Sequence, residues 1–124
     1  MQTEPNYWLV GANWEGADQA AAFYRRGYWE MGYDDEDKPN LAEKRDQMKP
    51  NDRIAVKSRL GQGASNIAIR ALGIVKEVHQ GKVYVDWVLT GMNREVNSAG
   101  CFGTLHGPYN MQRQADWLRQ VFQL

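Results

Sequence analysis

The sequence predicts an α+β fold, a small bent or barrel-like β-sheet flanked by about three helices. Three observations carry this expectation. Short apolar or alternating runs bounded by glycine recur through the middle of the chain, the mark of strands. The longest of them, Ile67 to Val78, is interrupted at Gly73, where a barrel strand would bend or bulge. Helical spacing is confined to three segments that do not alternate regularly with the strands, which excludes a doubly wound parallel sheet.

The elements follow in order. Tyr7-Trp8-Leu9-Val10 is a buried-strand pattern ended by Gly11. The segment from Ala17 to Arg26 reads as a helix, with Ala17, Ala20, Ala21 and Tyr24 on one face, Asp18 in the first turn and Gly27 as its stop. Tyr28 to Tyr33 is an aromatic-rich connection, and Asp34 to Asp37 an acidic loop expected to be solvated. Asn40 with Glu43 three residues on resembles a capping box, and it opens a helix that Pro50 would end. Arg53 to Ser58 alternates as a strand, and Arg59 to Asn66 reads as a mobile loop. His79-Gln80-Gly81 turns the chain into a strand over Lys82 to Leu89. One or two short strands are expected in the irregular stretch from Gly91 to His106. A last helix over about Asn110 to Phe122 carries Met111, Ala115, Leu118 and Phe122 on one stripe.

The 124 residues suit a single domain, with a core over 6–124 and a flexible stretch at 1–5. No apolar run is long enough for a transmembrane helix, and the first residues lack the apolar stretch of a signal peptide. The single cysteine, Cys101, makes no internal disulfide, and with His79 and His106 it falls short of a structural zinc set. The expectation is an intracellular, cytoplasmic protein with no metal and no cofactor. Fifteen basic and fifteen acidic residues cancel, so no global field draws the chain to nucleic acid. The distribution is uneven, however. Residues 1–43 carry nine acids against three bases, whereas residues 44–70 carry seven bases against two acids. That second stretch is either a basic surface or ordinary solvated charge.

Aromatic content is the feature that points to function: five Trp and six Tyr. A buried indole needs a partner for its N–H, so several of these rings are candidates for a pocket. Asn13-Trp14 after the first strand, then Tyr28-Trp29 and Tyr33 after the helix, gather rings and an amide where the helix returns the chain. Such a set suits a flat base, with stacking for affinity and an amide to read a Watson–Crick edge. The competing reading is that Trp8, Trp29 and Trp87 fill the interior. Gly61-Gln62-Gly63 is not a dinucleotide fingerprint, because it lacks the third glycine and lies between two strands. His79 sits in a turn and reads as solvated, while His106, on a glycine-bounded polar tip, is a candidate groove residue. No nucleophile, triad order or paired carboxylates argue for an enzyme.

The segments Tyr7 to Trp14, Gly27 to Tyr33, Asp52 to Ser58, Ala71 to Val75, Val85-Asp86-Trp87 and Cys101 to His106 occur in an order that resembles a known family. It is the EVE-like, PUA-superfamily N-terminal domain of McrB-type modification-dependent restriction proteins, and the resemblance covers about Tyr7 to Leu124. The wider family includes YTH domains, which read N6-methyladenine through an aromatic cage. By this resemblance Trp29 is a cage wall, Asn13 contacts the base edge, Ser58 lies at the pocket rim, and Trp14 and Tyr33 are further candidate walls. Lys57, Arg59 and Arg70, with His106, would meet the phosphates flanking a flipped nucleotide. The function expected is a non-catalytic reader of a modified, methylated base in DNA, serving a restriction or defence system. No Walker motif is present, so a GTPase motor or nuclease partner would lie elsewhere in a longer chain or nearby. The alternatives are a PUA- or ASCH-like RNA-binding module and a nucleoside- or small-molecule-binding protein.

Overall fold

A computed structural model describes residues 4–124. The expected flexibility of residues 1–3 falls outside the described residues. The chain runs β1 (Tyr7–Gly11), β2 (Asn13–Trp14), β3 (Ala17–Asp18), α1 (Ala20–Arg26), β4 (Tyr28–Trp29), α2 (Pro39–Arg45), β5 (Arg53–Arg59), β6 (Asn66–His79), β7 (Lys82–Leu89), β8 (Arg94–Asn97), β9 (Leu105–Tyr109) and α3 (Met111–Phe122). This is an α+β fold, as expected. Seven strands form one mixed sheet in the order β4-β7-β6-β5-β1-β9, with β8 on the early part of β6, and β2 and β3 form a separate hairpin.

Strand β1, between β5 and β9, is buried on both faces, which explains its uninterrupted apolar sequence. Trp8 and Val10 join Ile54 and Val56 of β5 in one cluster, covered by Phe23, Trp29, Ala42 and Met48 from α1, β4, α2 and the loop after it. Leu9 and Ala55 point the other way and meet Ile67, Ile69 and Leu72, covered by Val121 of α3 and by Cys101. Strand β6 pairs with β5 along one edge and divides the other between two partners, β8 at Asn66–Ile69 and β7 from Leu72 onward. The register shifts between Leu72 and Gly73. A Cβ on Gly73 would stand 2.3 Å from Val85 Cγ1, so glycine is what lets β7 approach at the bend.

Several expectations need correction. The first helix begins at Ala20, because Glu15 (φ 49°) and Gly16 (φ 91°) make a tight turn that sends Ala17–Asp18 back along Asn13–Trp14. Asp18 therefore stands outside the helix, where its Oδ1 accepts from Ala20 N at 3.0 Å. The second helix starts at Pro39 with no side-chain cap, since proline's fixed φ and missing N–H suit the first helical position. It ends at Arg45, before Pro50. In α3 the expected stripe is broken at Gln114, whose φ of −122° and ψ of 33° leave the helical region. Leu118 and Val121 are the residues it buries, and Asn110 caps it by accepting from Arg113 N at 3.0 Å. The acids at 34–37 are all exposed, as expected, though one of them is engaged in an ion pair. Asp35 makes a two-pronged pair with the buried Arg45 at 2.7 and 2.9 Å, which keeps that guanidinium firmly charged.

Candidate functional site

Only one ladder of the large sheet is parallel. Tyr7 to Gly11 run beside Arg53 to Lys57 in matching direction, so β1 and β5 both leave the sheet at the same end. Beyond that end the chains diverge. Gly11 leads into the β2–β3 hairpin, and Lys57 leads through Ser58 to Arg59. The loop before β9 closes the third side, tied down where Gly11 N donates to Thr104 O at 2.8 Å. Between these three segments lies a cleft of about 510 Å³, within the range of ordinary ligand sites.

Asn13, Trp14, Tyr33, Ser58, Lys57, Arg59 and Arg70 all line it, so the structure gathers most of the residues singled out from the sequence. Trp14 is the principal wall. Its indole lies against Gly32, where a Cβ would come within 2.5 Å of Cδ1, and edge-on to Phe23 at 5.7 Å between centroids. Its Nε1 is enclosed and has no hydrogen-bond partner. Tyr33 is 45% exposed, with Lys38 Nζ 5.2 Å from its ring centre. Asn13 has one half of its amide committed, since Oδ1 accepts from Gly16 N at 2.7 Å and holds the hairpin turn. Its Nδ2 is the half left to a ligand.

The cations divide by depth. Arg59 sits on the rim with its guanidinium 5.6 Å from the Phe102 ring centre. Arg70 is paired across the cleft mouth with Asp18 at 3.0 Å, and the bond from Ala20 N together with Arg70 holds the Asp18 carboxyl below its usual range. Lys57 is different. It is 4% exposed, faces the cleft at its floor, and makes no ion pair among the described residues. Burial pulls its ammonium down to about 8, against a smaller opposing pull from Cys101. Lys57, expected with Arg59 and Arg70 to meet backbone phosphates, is thus far less exposed than those two arginines.

Two further expectations fail. Trp29 is not a cage wall: it has no exposed surface, belongs to the interior cluster, and donates from Nε1 to Gly11 O at 2.8 Å. Strand β4 pairs Trp29 with Val83, which turns the indole inward. His106 does not reach the cleft either. Its Nε2 accepts from Gly103 N at 2.8 Å, so the ring supports the Phe102–Thr104 wall from behind. Burial and the charges of Lys57 and Lys44 favour its neutral form. Sequence reasoning also missed Phe102, Glu15 and Asp18 as lining residues. Phe102 lay within a segment already noted, Cys101 to His106, where attention went to the histidine.

A second cavity, about 610 Å³, runs along α3 between Tyr7, Leu72, Val88 and Phe122, and its walls are mainly apolar. Among the described residues no cluster of three or more His, Cys, Asp or Glu is placed to hold a metal ion, and no helix is long and apolar enough to cross a membrane. Comparison of the chain with protein-family models and with curated proteins finds no match.

Proposed function

We propose that the chain is a non-catalytic reader that seats a modified nucleobase of DNA, flipped from its stack, in the cleft beside Trp14. The observation that carries this reading is the meeting of an indole wall with cationic groups on one concavity of base-accommodating size. Trp14 supplies a stacking face, Asn13 Nδ2 a donor for a base edge, and Arg59 and Arg70 a rim for the flanking phosphates. The EVE-like resemblance implied Trp29 as the cage wall, and with Trp29 in the interior this reading rests on Trp14, which the resemblance offered as a further candidate wall. In this reading the protein is the recognition module of a restriction or defence system in the cytoplasm, working with a motor or nuclease.

Stacking contributes about 1–3 kcal/mol per base, a factor of roughly five to more than a hundred in affinity. A buried methyl adds only about 0.8 kcal/mol. Trp14→Ala is therefore expected to weaken binding of a modified-base oligonucleotide at least tenfold and to remove its preference over the plain one. Anisotropy titrations at moderate salt measure this. Equal binding of both oligonucleotides by the native protein overturns the reading.

Glu15 and Asp18 on the same rim favour a second reading, a pocket for a free nucleoside, because carboxylates repel a polymer backbone. Salt separates the two. With Arg59 and a partly neutralised Arg70 at the mouth, a single-stranded ligand is expected to lose affinity with a log–log slope of about −1, near −0.7 per phosphate contacted. A free nucleoside shows no such slope. Matched RNA titrated alongside tests the RNA-binding alternative, since only RNA offers 2′-hydroxyls.

A further inference from the structure

A lysine with almost no exposed surface and no acidic partner is an expensive feature, since a desolvated ammonium gains nothing from its surroundings unless something pairs with it. Lys57 is such a residue. It lies two residues before the end of β5, paired in register with Gly11, where a Cβ would stand 3.7 Å from Nζ, and it lines the cleft. Among the described residues the carboxylates of the cleft, Glu15 and Asp18, belong to the hairpin at its mouth, and Asp18 is already taken by Arg70. Trp14, which lines the same concavity, carries an enclosed Nε1 that also has no hydrogen-bond partner. Both are donors, and neither group has any capacity to accept.

We infer that Lys57 is a specificity-determining residue whose ammonium selects a base with an oxygen acceptor, a carbonyl or a carboxylate, on its inserted edge. The inference rests on the proposed reading of the cleft as a nucleobase site and adds which bases it takes. An exocyclic amine turned toward Lys57 Nζ leaves donor against donor, both desolvated, and is rejected. A carbonyl accepts one charge-assisted hydrogen bond, and an oxidised substituent that ends in a carboxylate also supplies the missing counter-charge. The oxygen does not come from the sugar–phosphate backbone, because the groups available to a passing strand are Arg59 and Arg70 on the rim.

The same geometry makes recognition sensitive to pH. The groups that face Lys57 are the Cys101 thiol, the Arg59 guanidinium and the His106 imidazole, and burial keeps the thiol protonated and the imidazole neutral near pH 7. With its ammonium held to about 8, Lys57 is mostly charged at pH 7 and loses its proton as the pH rises past 8. An acceptor-bearing ligand is then released.

The test uses single-stranded oligonucleotides identical except for one residue: cytosine, 5-methylcytosine, 5-carboxylcytosine, adenine or N6-methyladenine. The native protein is expected to bind the 5-carboxylcytosine strand at least tenfold more tightly than the N6-methyladenine strand at pH 7. Between pH 8 and 9.5 that affinity is expected to fall toward tenfold per pH unit, while binding of plain adenine stays flat. Lys57→Met keeps length and apolar bulk while removing the charge, so its melting temperature should be unchanged or higher. Its affinities for the carboxylated and methylated strands should agree within about twofold. Preference for N6-methyladenine overturns the assignment, as does a carboxylate preference that survives in Lys57→Met. A uniform loss across all five strands in that variant also overturns it, because it places Lys57 on a phosphate. If no modified strand is preferred over its plain counterpart, the reader function itself fails and the assignment with it.

Discussion

Trp29 and Trp14 are both indoles at the start of the fold, and their surroundings give them opposite tasks. Trp29 has no exposed surface, and its N–H is satisfied by Gly11 O at 2.8 Å, in the strand end that leads into the cleft. Truncating it removes a large buried ring and leaves that carbonyl without its partner. Trp29→Ala is expected to cost about 3–5 kcal/mol of stability, which lowers the melting temperature of a chain this size by roughly 10 °C or more. Thermal unfolding followed by circular dichroism measures it, and a fold that melts within a few degrees of the native protein contradicts the interior placement. Trp14 keeps one enclosed, unpartnered N–H and lines the cleft. Nothing in the residue types separates the two tryptophans. Their difference comes from the pairing of Trp29 with Val83 and from the turn at Glu15–Gly16, both tertiary facts.

At the scale of elements, the strands were legible wherever period or punctuation was strong. Lys82–Leu89 matches its expected bounds, and the bend at Gly73 falls where the sequence placed it, because alternation and a lone glycine are local signals. Helix starts were less legible. A proline displaced the apparent cap at Asn40, and an Asx-type turn left Asp18 outside the first helical turn expected to hold it. The third wall of the cleft was the least readable element, since Phe102–Thr104 has no periodicity and is held by scattered bonds, of which the one side-chain acceptor among the described residues is Nε2 of His106. That bond yields a pH prediction. The folded state holds the His106 pKa below its usual 6.5, so the unfolded chain takes up this proton first as the pH falls. The stability supplied by neutral His106 is present above about pH 6.5 and lost below it. Melting temperatures between pH 7 and 5 should therefore fall more steeply for the native protein than for His106→Gln, whose amide oxygen still accepts from Gly103 N. Parallel curves contradict the role of the imidazole.

Considered whole, the molecule sets a site of mixed charge on a chain of zero net charge. Affinity therefore has to come from what enters the cleft and not from a long-range field. The topology explains how such a site arises from an apolar sheet. The one parallel pair, β1 with β5, brings two chain exits to one end, and a loop bonded to Gly11 completes the concavity. The sequence showed both strands and about half of the lining residues, and it could not show that the two strands run side by side in the same direction. The central claim is that a modified base stacks on Trp14, and the indole N–H signals of the 15N-labelled protein test it most directly. Adding an oligonucleotide with the preferred modified base is predicted to shift the Trp14 signal saturably and to leave Trp29 and Trp8 nearly unmoved, whereas the plain strand shifts none of the three. A Trp14 signal that stays fixed while the modified strand binds contradicts the account.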